Sequence, residues 1–348
     1  MHPSPGTGPA SMPYSTAFPE ALGTGIIINT SKPVGSELRA GLGRLIDTYE
    51  SSLSRFRDDS ILADMARAKR GGNFRFPEYC QGLFDLYDCL YLATGGALDP
   101  AVGADLARLG YGRDMTFRLS ADAVDHLGRI KGRSTWGDDV ERDGVILRTR
   151  GPVQLDFGAL GKGYLVDLLA DVLNRTDDAE GVGDYLIDAG GDMRIQAPGA
   201  VSIAMEDPDD LTRAVGVIRM TTGSLGASAP SRRKWTVPRG GDEEEGLMAL
   251  HHILNAVDGM PVRRVKATWV VVVGQEDRSG NQGQELGDPR DNRLAKLYPT
   301  ALADGLSTAL FLVGPNGLAE RFPFACAGLD DSRHAVVSKG FPGAFFVG

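Results

Sequence analysis

Residues 300–314 read TALADGLSTALFLVG. Without three of its letters this is an ordinary apolar helix running into a strand. The three are Asp304, Ser307 and Thr308, and at spacings of three and four residues they share one helical face. Burying an unpaired carboxylate there costs several kcal/mol, so Asp304 calls for a partner or a cation. The segment predicts a helix from about 300 to 310 and a strand over LFLV (310–313).

Working outward, other elements follow from the same kind of spacing. GIIINT (25–30) reads as a first strand. Leu38, Leu42, Leu45, Ile46 and Tyr49 recur at helical spacing. A second helix is expected to begin at Pro77, a favoured first position, and to stop before Gly95-Gly96. A third follows the glycines near 158–163, with Leu165, Leu168, Leu169, Val172 and Leu173 inward. Strands are expected at VILR (145–148), VQLDF (153–157), YLID (185–188), VSIAM (201–205), VGVIRM (215–220), WVVVV (269–273), AVVS (335–338) and AFFV (344–347). Several strands follow one another directly, which predicts an α+β fold with a largely antiparallel sheet and flanking helices.

The chain has 348 residues, 42% hydrophobic and 24% charged, with a net charge of −9. That is ample for a large core. A nucleic-acid binder would be expected to show a basic surplus, and there is none. No run of 18 apolar residues exists, so no membrane insertion is expected. Residues 1–20 are rich in Pro, Gly and Ser and read as a disordered tail without a secretory signal. Residues 21–348 read as a single domain of two intimately packed lobes. The three cysteines fit no metal spacing, and Cys80 shares a stripe with Leu83, Phe84 and Tyr87. These features together predict a cytoplasmic protein. PRGGDEEEG (238–246) and an acidic insert at about 274–292 read as surface loops.

Five constellations could carry chemistry. DFGALGKGY (156–164) surrounds Lys162 with glycines between a strand and a helix, where backbone groups can hold an anion or a cation. It is not a Walker A loop, and a plain tight turn accounts for it equally well. IDAGGDMR (187–194) can be a hairpin turn with two solvated acids. In TGGALDPAVGADLARLGYG (94–112), Asp99 precedes Pro100 and can simply cap the short helix that starts there. In HHILN (251–255), strand alternation puts His251 and His252 on opposite faces, so one of them at most faces a given pocket. In the opening stretch, Asp304 and Thr308 offer oxygens one turn apart, a pattern suited to a hard cation such as Mg²⁺, while helix capping by Asp304 is the plain alternative.

In order and spacing the chain resembles the ApbE family, the FAD:protein FMN transferases. The matching blocks are LGT (22–24), LSRFRDDS (53–60), TGGALDPAVGADL (94–106), LDFGALGKGYLVD (155–167), LIDAGGDMR (186–194), HILNAVDGMP (252–261) and ADGLSTALFLVG (303–314). The resemblance implies an ApbE/T-fold-like domain. It implies Mg²⁺ (or Mn²⁺) held by the Ala159 carbonyl, Asp304 and Thr308. FAD, as substrate, would contact Leu22, Phe56, Ala97, Leu98, Asp99, Asp156 and Lys162, and the Ile253-Leu254 backbone. His252 would stand near the reacting phosphate, with Asp304 as the second catalytic residue. The implied reaction moves the FMN moiety of FAD to a Thr or Ser hydroxyl of an acceptor flavoprotein and releases AMP. A FAD pyrophosphatase and a non-catalytic FAD-binding protein are the alternatives. The chain departs from the family pattern at Asn255-Ala256 and Asp258 (usually Asp-Pro and Thr), at Ala66 (usually Asn) and in ASAP (227–230).

Overall fold

In the computed structural model, which describes residues 11–176, 181–238, 247–273 and 288–346, the strand carrying WVVVV spans Val265–Val272. Val270 and Val272 enter one apolar cluster, whereas Ala267, Trp269 and Val271 enter another. Burial on both faces explains an unbroken apolar run in place of the alternation of a half-exposed strand.

This strand belongs to a nine-stranded sheet among the described residues. In chain order its members are β1 (Tyr14–Phe18), β2 (Ile26–Thr30), β3 (Tyr185–Asp188), β4 (Met193–Glu206), β5 (Ala214–Ser228), β6 (Val265–Val272), β7 (Ala325–Asp330), β8 (Ala335–Val337) and β9 (Gly343–Phe345). They lie side by side from β1 to β8, and β9 pairs with the first half of β5. All these pairings are antiparallel. The expected α+β class is therefore the observed one.

Helices α1 (Ser36–Leu53), α2 (Gln81–Ala93), α3 (Gly161–Arg175) and α4 (Pro299–Ala309) bury their apolar faces in the larger cluster. Leu83, Phe84 and Tyr87 of α2, with Cys80 at the cap position just before it, form the expected buried stripe. A third cluster includes Leu106, Tyr111, Trp235 and Leu254, which line the same cleft as Asp304 and Thr308 of α4.

Two glycines bring α4 into backbone contact with its neighbours. A Cβ on Gly226 of β5 would stand 2.4 Å from the Ala303 carbonyl, and one on Gly163 of α3 would stand 2.4 Å from the Thr300 oxygen. Asp167 of α3 accepts from the N–H groups of Thr300 and Ala301 and so caps α4.

Several expectations need correction. Residues 14–18 are not part of a disordered tail: they pair along β2, and Met12 is buried. Residues 1–10 lie outside the described residues. VQLDF forms no strand: the Asp156 N–H donates to the Pro100 carbonyl at 2.7 Å, and no strand among the described residues pairs with the segment. LFLV continues from α4 as turns, with Phe311 and Leu312 N–H bonded to Thr308 and Ala309 carbonyls. In the acidic insert, 274–287 lie outside the described residues, while Asp288 caps a helix over Pro289–Leu297. Of the other loop, 239–246 lie outside them too. No helix among the described residues is long and apolar enough to cross a membrane.

Candidate functional site

Asp304 sits in the middle of α4 and is 1% exposed, so it cannot be that helix's cap. Its two oxygens lie 3.1 and 3.2 Å from Lys162 Nζ, and Oδ2 also accepts from Gly163 N–H at 3.0 Å. One turn on, Thr308 Oγ1 lies 3.4 Å from the Ala159 carbonyl oxygen. Ser307 is occupied elsewhere: its hydroxyl bonds the Asp304 carbonyl and Ser228, both at 2.7 Å. The three polar letters thus divide, with Asp304 and Thr308 facing the glycine-rich turn and Ser307 tying α4 to β5.

The same Lys162 pairs with Asp192, from the turn between β3 and β4. That turn is the expected hairpin, with Gly190 and Gly191 at φ of 71° and 108°. Its acids are not both solvated, however: Asp192 is fully buried and its Oδ1 has no hydrogen-bond partner. Burial, joined by repulsion from Asp304, raises the Asp192 carboxyl well above its ordinary range. Burial also raises Asp304, against the pull of Lys162. Burial opposes the charge on Lys162, but the two carboxylates outweigh it and raise its ammonium.

Asp156 pairs with Arg55 and accepts from Gly158 N–H at 2.6 Å. Burial pushes its carboxyl up, yet Arg55 outweighs burial and leaves it below the ordinary value. The Arg55 guanidinium lies over Phe56, 4.1 Å from the ring centre, and its Nη2 has no hydrogen-bond partner. Asp99 does the capping job expected of it, accepting from Ala101 N–H at 2.7 Å. It is also paired with Arg133, which reaches Asp105 at 2.8 Å and the Ala256 carbonyl at 2.8 Å.

The two histidines separate as alternation requires. His251 ends a strand over Leu247–His251 and its Nε2 donates to the Val262 carbonyl at 2.6 Å. His252 lies just past that strand and lines the cleft. Its Nδ1 faces the Arg233 carbonyl at 3.4 Å, which makes Nδ1 the protonated nitrogen and leaves a lone pair on Nε2. Burial, with the Arg233 charge, lowers the His252 pKa to about 4.

One cleft of about 1440 Å³ joins these groups. Lys162, Asp304, Thr308, Ala159 and His252 line it, and so do Leu22, Phe56, Asp156 and the Ala97-Leu98-Asp99 and Ile253-Leu254 segments. The residues that the family resemblance implied for metal, FAD and catalysis therefore all border the same space, whereas Ser307, His251 and Asp192 do not line it. Sequence reasoning missed Arg55, Arg133, Arg233 and the stacked Tyr111–Trp235 pair, whose rings are 5.5 Å apart. Arg55 stands inside a quoted block, LSRFRDDS, and could have been found as the basic partner that Asp156 needs.

With a cleft lined both by strands of the antiparallel sheet and by the third apolar cluster, the architecture defines an α+β class with solved members. The ApbE protein of Thermotoga maritima is 19% identical, with a TM-score of 0.70 over 94% of this chain and 97% of that one. The flavinyl transferase ApbE of Pseudomonas stutzeri is 22% identical, with a TM-score of 0.67 over 93% and 95%. The flavin transferase ApbE of Vibrio cholerae is 20% identical, with a TM-score of 0.67 over 94% and 97%. The ApbE family model matches residues 22–278, and the chain belongs to that family. A curated relative, FAD:protein FMN transferase of Treponema pallidum (strain Nichols), is 28% identical over 258 residues, a stretch that covers 66% of each protein.

Proposed function

We propose that this protein transfers the FMN moiety of FAD to a threonine or serine hydroxyl of an acceptor flavoprotein and releases AMP, with Mg²⁺ as cofactor. The observation that carries this reading is the meeting of Lys162, Asp304, Thr308, the Ala159 carbonyl and His252 in one cleft. Family membership and the name of the Treponema relative support the flavin chemistry.

The donor set fits a hard divalent cation. It is all oxygen, it includes the buried carboxyl of Asp304, and the Asp192 oxygen without a partner lies on the other side of Lys162. Asp304, Thr308 and the Ala159 carbonyl would hold the ion. When bound, it would neutralise the pyrophosphate and stabilise the departing AMP. The protein's own cations do related work: Lys162, which lines the cleft, can bind phosphate oxygens and fix their direction, and the Arg55 guanidinium adds positive charge to the same wall.

Phosphoryl transfer depends chiefly on such positioning and charge stabilisation. The acceptor hydroxyl oxygen forms a bond to the FMN phosphorus while the bridging P–O bond to AMP breaks. The hydroxyl proton passes to Nε2 of His252. To test the reading, FAD, Mg²⁺ and candidate acceptor domains are incubated together and run on a denaturing gel. Flavin fluorescence that stays with the acceptor, and is lost in Asp304→Asn, supports it. AMP release without an acceptor would indicate a FAD pyrophosphatase instead, and FAD retained unchanged would oppose both enzyme readings.

A further inference from the structure

Lys162 covers both carboxylate oxygens of Asp304, at 3.1 and 3.2 Å. A divalent ion bound there must reach one of those oxygens from the side of Thr308 and Ala159. Two cations sharing one small carboxylate repel each other strongly in a buried setting. On its other side Lys162 pairs with Asp192, which is fully buried and has one oxygen without a partner. One ammonium thus faces two buried acidic side chains. Lys162 is also able to move. Its side chain is 26% exposed, lines the cleft, and ends in three donors on a flexible stem.

Resting on the metal reading above, we propose that Lys162 is the resident counter-ion of Asp304, and that it must swing off this carboxylate for a divalent cation to bind. Asp192 is the positioning residue for that movement: it keeps hold of the ammonium when Asp304 is given up. The freed donors of Lys162 then face the cleft, where an anionic phosphate would meet them. Ammonium and metal ion are therefore negatively linked at Asp304, and the linkage is reciprocal.

The test measures Mn²⁺ binding calorimetrically with no flavin present, together with acetylation of Lys162 by acetic anhydride read by mass spectrometry. Lys162→Met should bind Mn²⁺ about tenfold more tightly than the wild type, and Asp192→Asn about tenfold more weakly. In the wild-type chain, Mn²⁺ should increase Lys162 labelling, a readout that does not depend on any variant folding. Unchanged labelling, or equal Mn²⁺ affinity in Lys162→Met, would overturn the proposal and leave the metal site standing. Mn²⁺ binding that survives Asp304→Asn would overturn the metal site and the proposal with it.

Discussion

Arg133 keeps its charge with 1% of its side chain exposed, because Asp99 and Asp105 meet it on two sides. Removing one partner from such a group leaves uncompensated charge in a low dielectric. Arg133→Ala should therefore lower stability by about 3–5 kcal/mol in urea denaturation. His252 gives a second expectation. Its folded pKa of about 4 lies below the ordinary 6.5. The unfolded chain therefore takes up a proton first as pH falls. The His252 contribution is fully present above about 6.5, is lost as pH falls towards 4, and amounts to about 3 kcal/mol at most. Unfolding midpoints of the wild type and His252→Gln should diverge across that window. A neutral His252 also predicts no histidine inflection near 6.5 in kcat/KM, whereas His252→Gln should lower kcat by about 10²–10⁴-fold. At this scale Asp304 was legible and Asp192 was not. A carboxylate inside an apolar helix is an anomaly, but one beside Gly-Gly is what a turn normally contains.

The helix Pro299–Ala309 owes its place to two residues that lack side chains. At an open position in a helix, Gly→Ala stabilises by roughly 0.5–1 kcal/mol. At Gly163 the new methyl would stand 2.4 Å from the Thr300 oxygen, so the sign should reverse. Gly163→Ala and Gly226→Ala should each cost about 1–3 kcal/mol, and both should weaken Mn²⁺ binding by shifting Asp304. Thermal unfolding and calorimetry check the two effects separately. Helices and long strands were readable because their period reports which face is buried. VQLDF shows the limit of that signal. Val153, Leu155 and Phe157 are buried in strict alternation, yet the segment has no strand partner. Periodicity reports facing and says nothing of pairing. LFLV fails differently: four apolar residues fill a core equally well from consecutive turns, and length alone cannot separate the two. YSTAF was hidden among Pro and Gly, because a short edge strand needs only a neighbour to pair with.

Across the whole molecule, the apolar clusters enclose all three thiols. Cys80, Cys89 and Cys326 are free and buried, and burial pushes the Cys89 thiol up to about 12. A thiol reagent should therefore titrate none of them in the native protein and three after unfolding, which makes thiol release a monitor of global opening. The assembly of the cleft was legible as a set of blocks, though no single block settled it. Its charge partners Arg55, Arg133 and Arg233 come from polar stretches whose spacing carries no period. The central claim is flavin transfer to protein, and intact-mass measurement of an acceptor domain after incubation with FAD and Mg²⁺ tests it most directly. A mass gain of one FMN less one water is expected on a Thr or Ser, with one AMP released per flavin attached and neither product formed by Asp304→Asn. An acceptor of unchanged mass while FAD is consumed to FMN and AMP would contradict it.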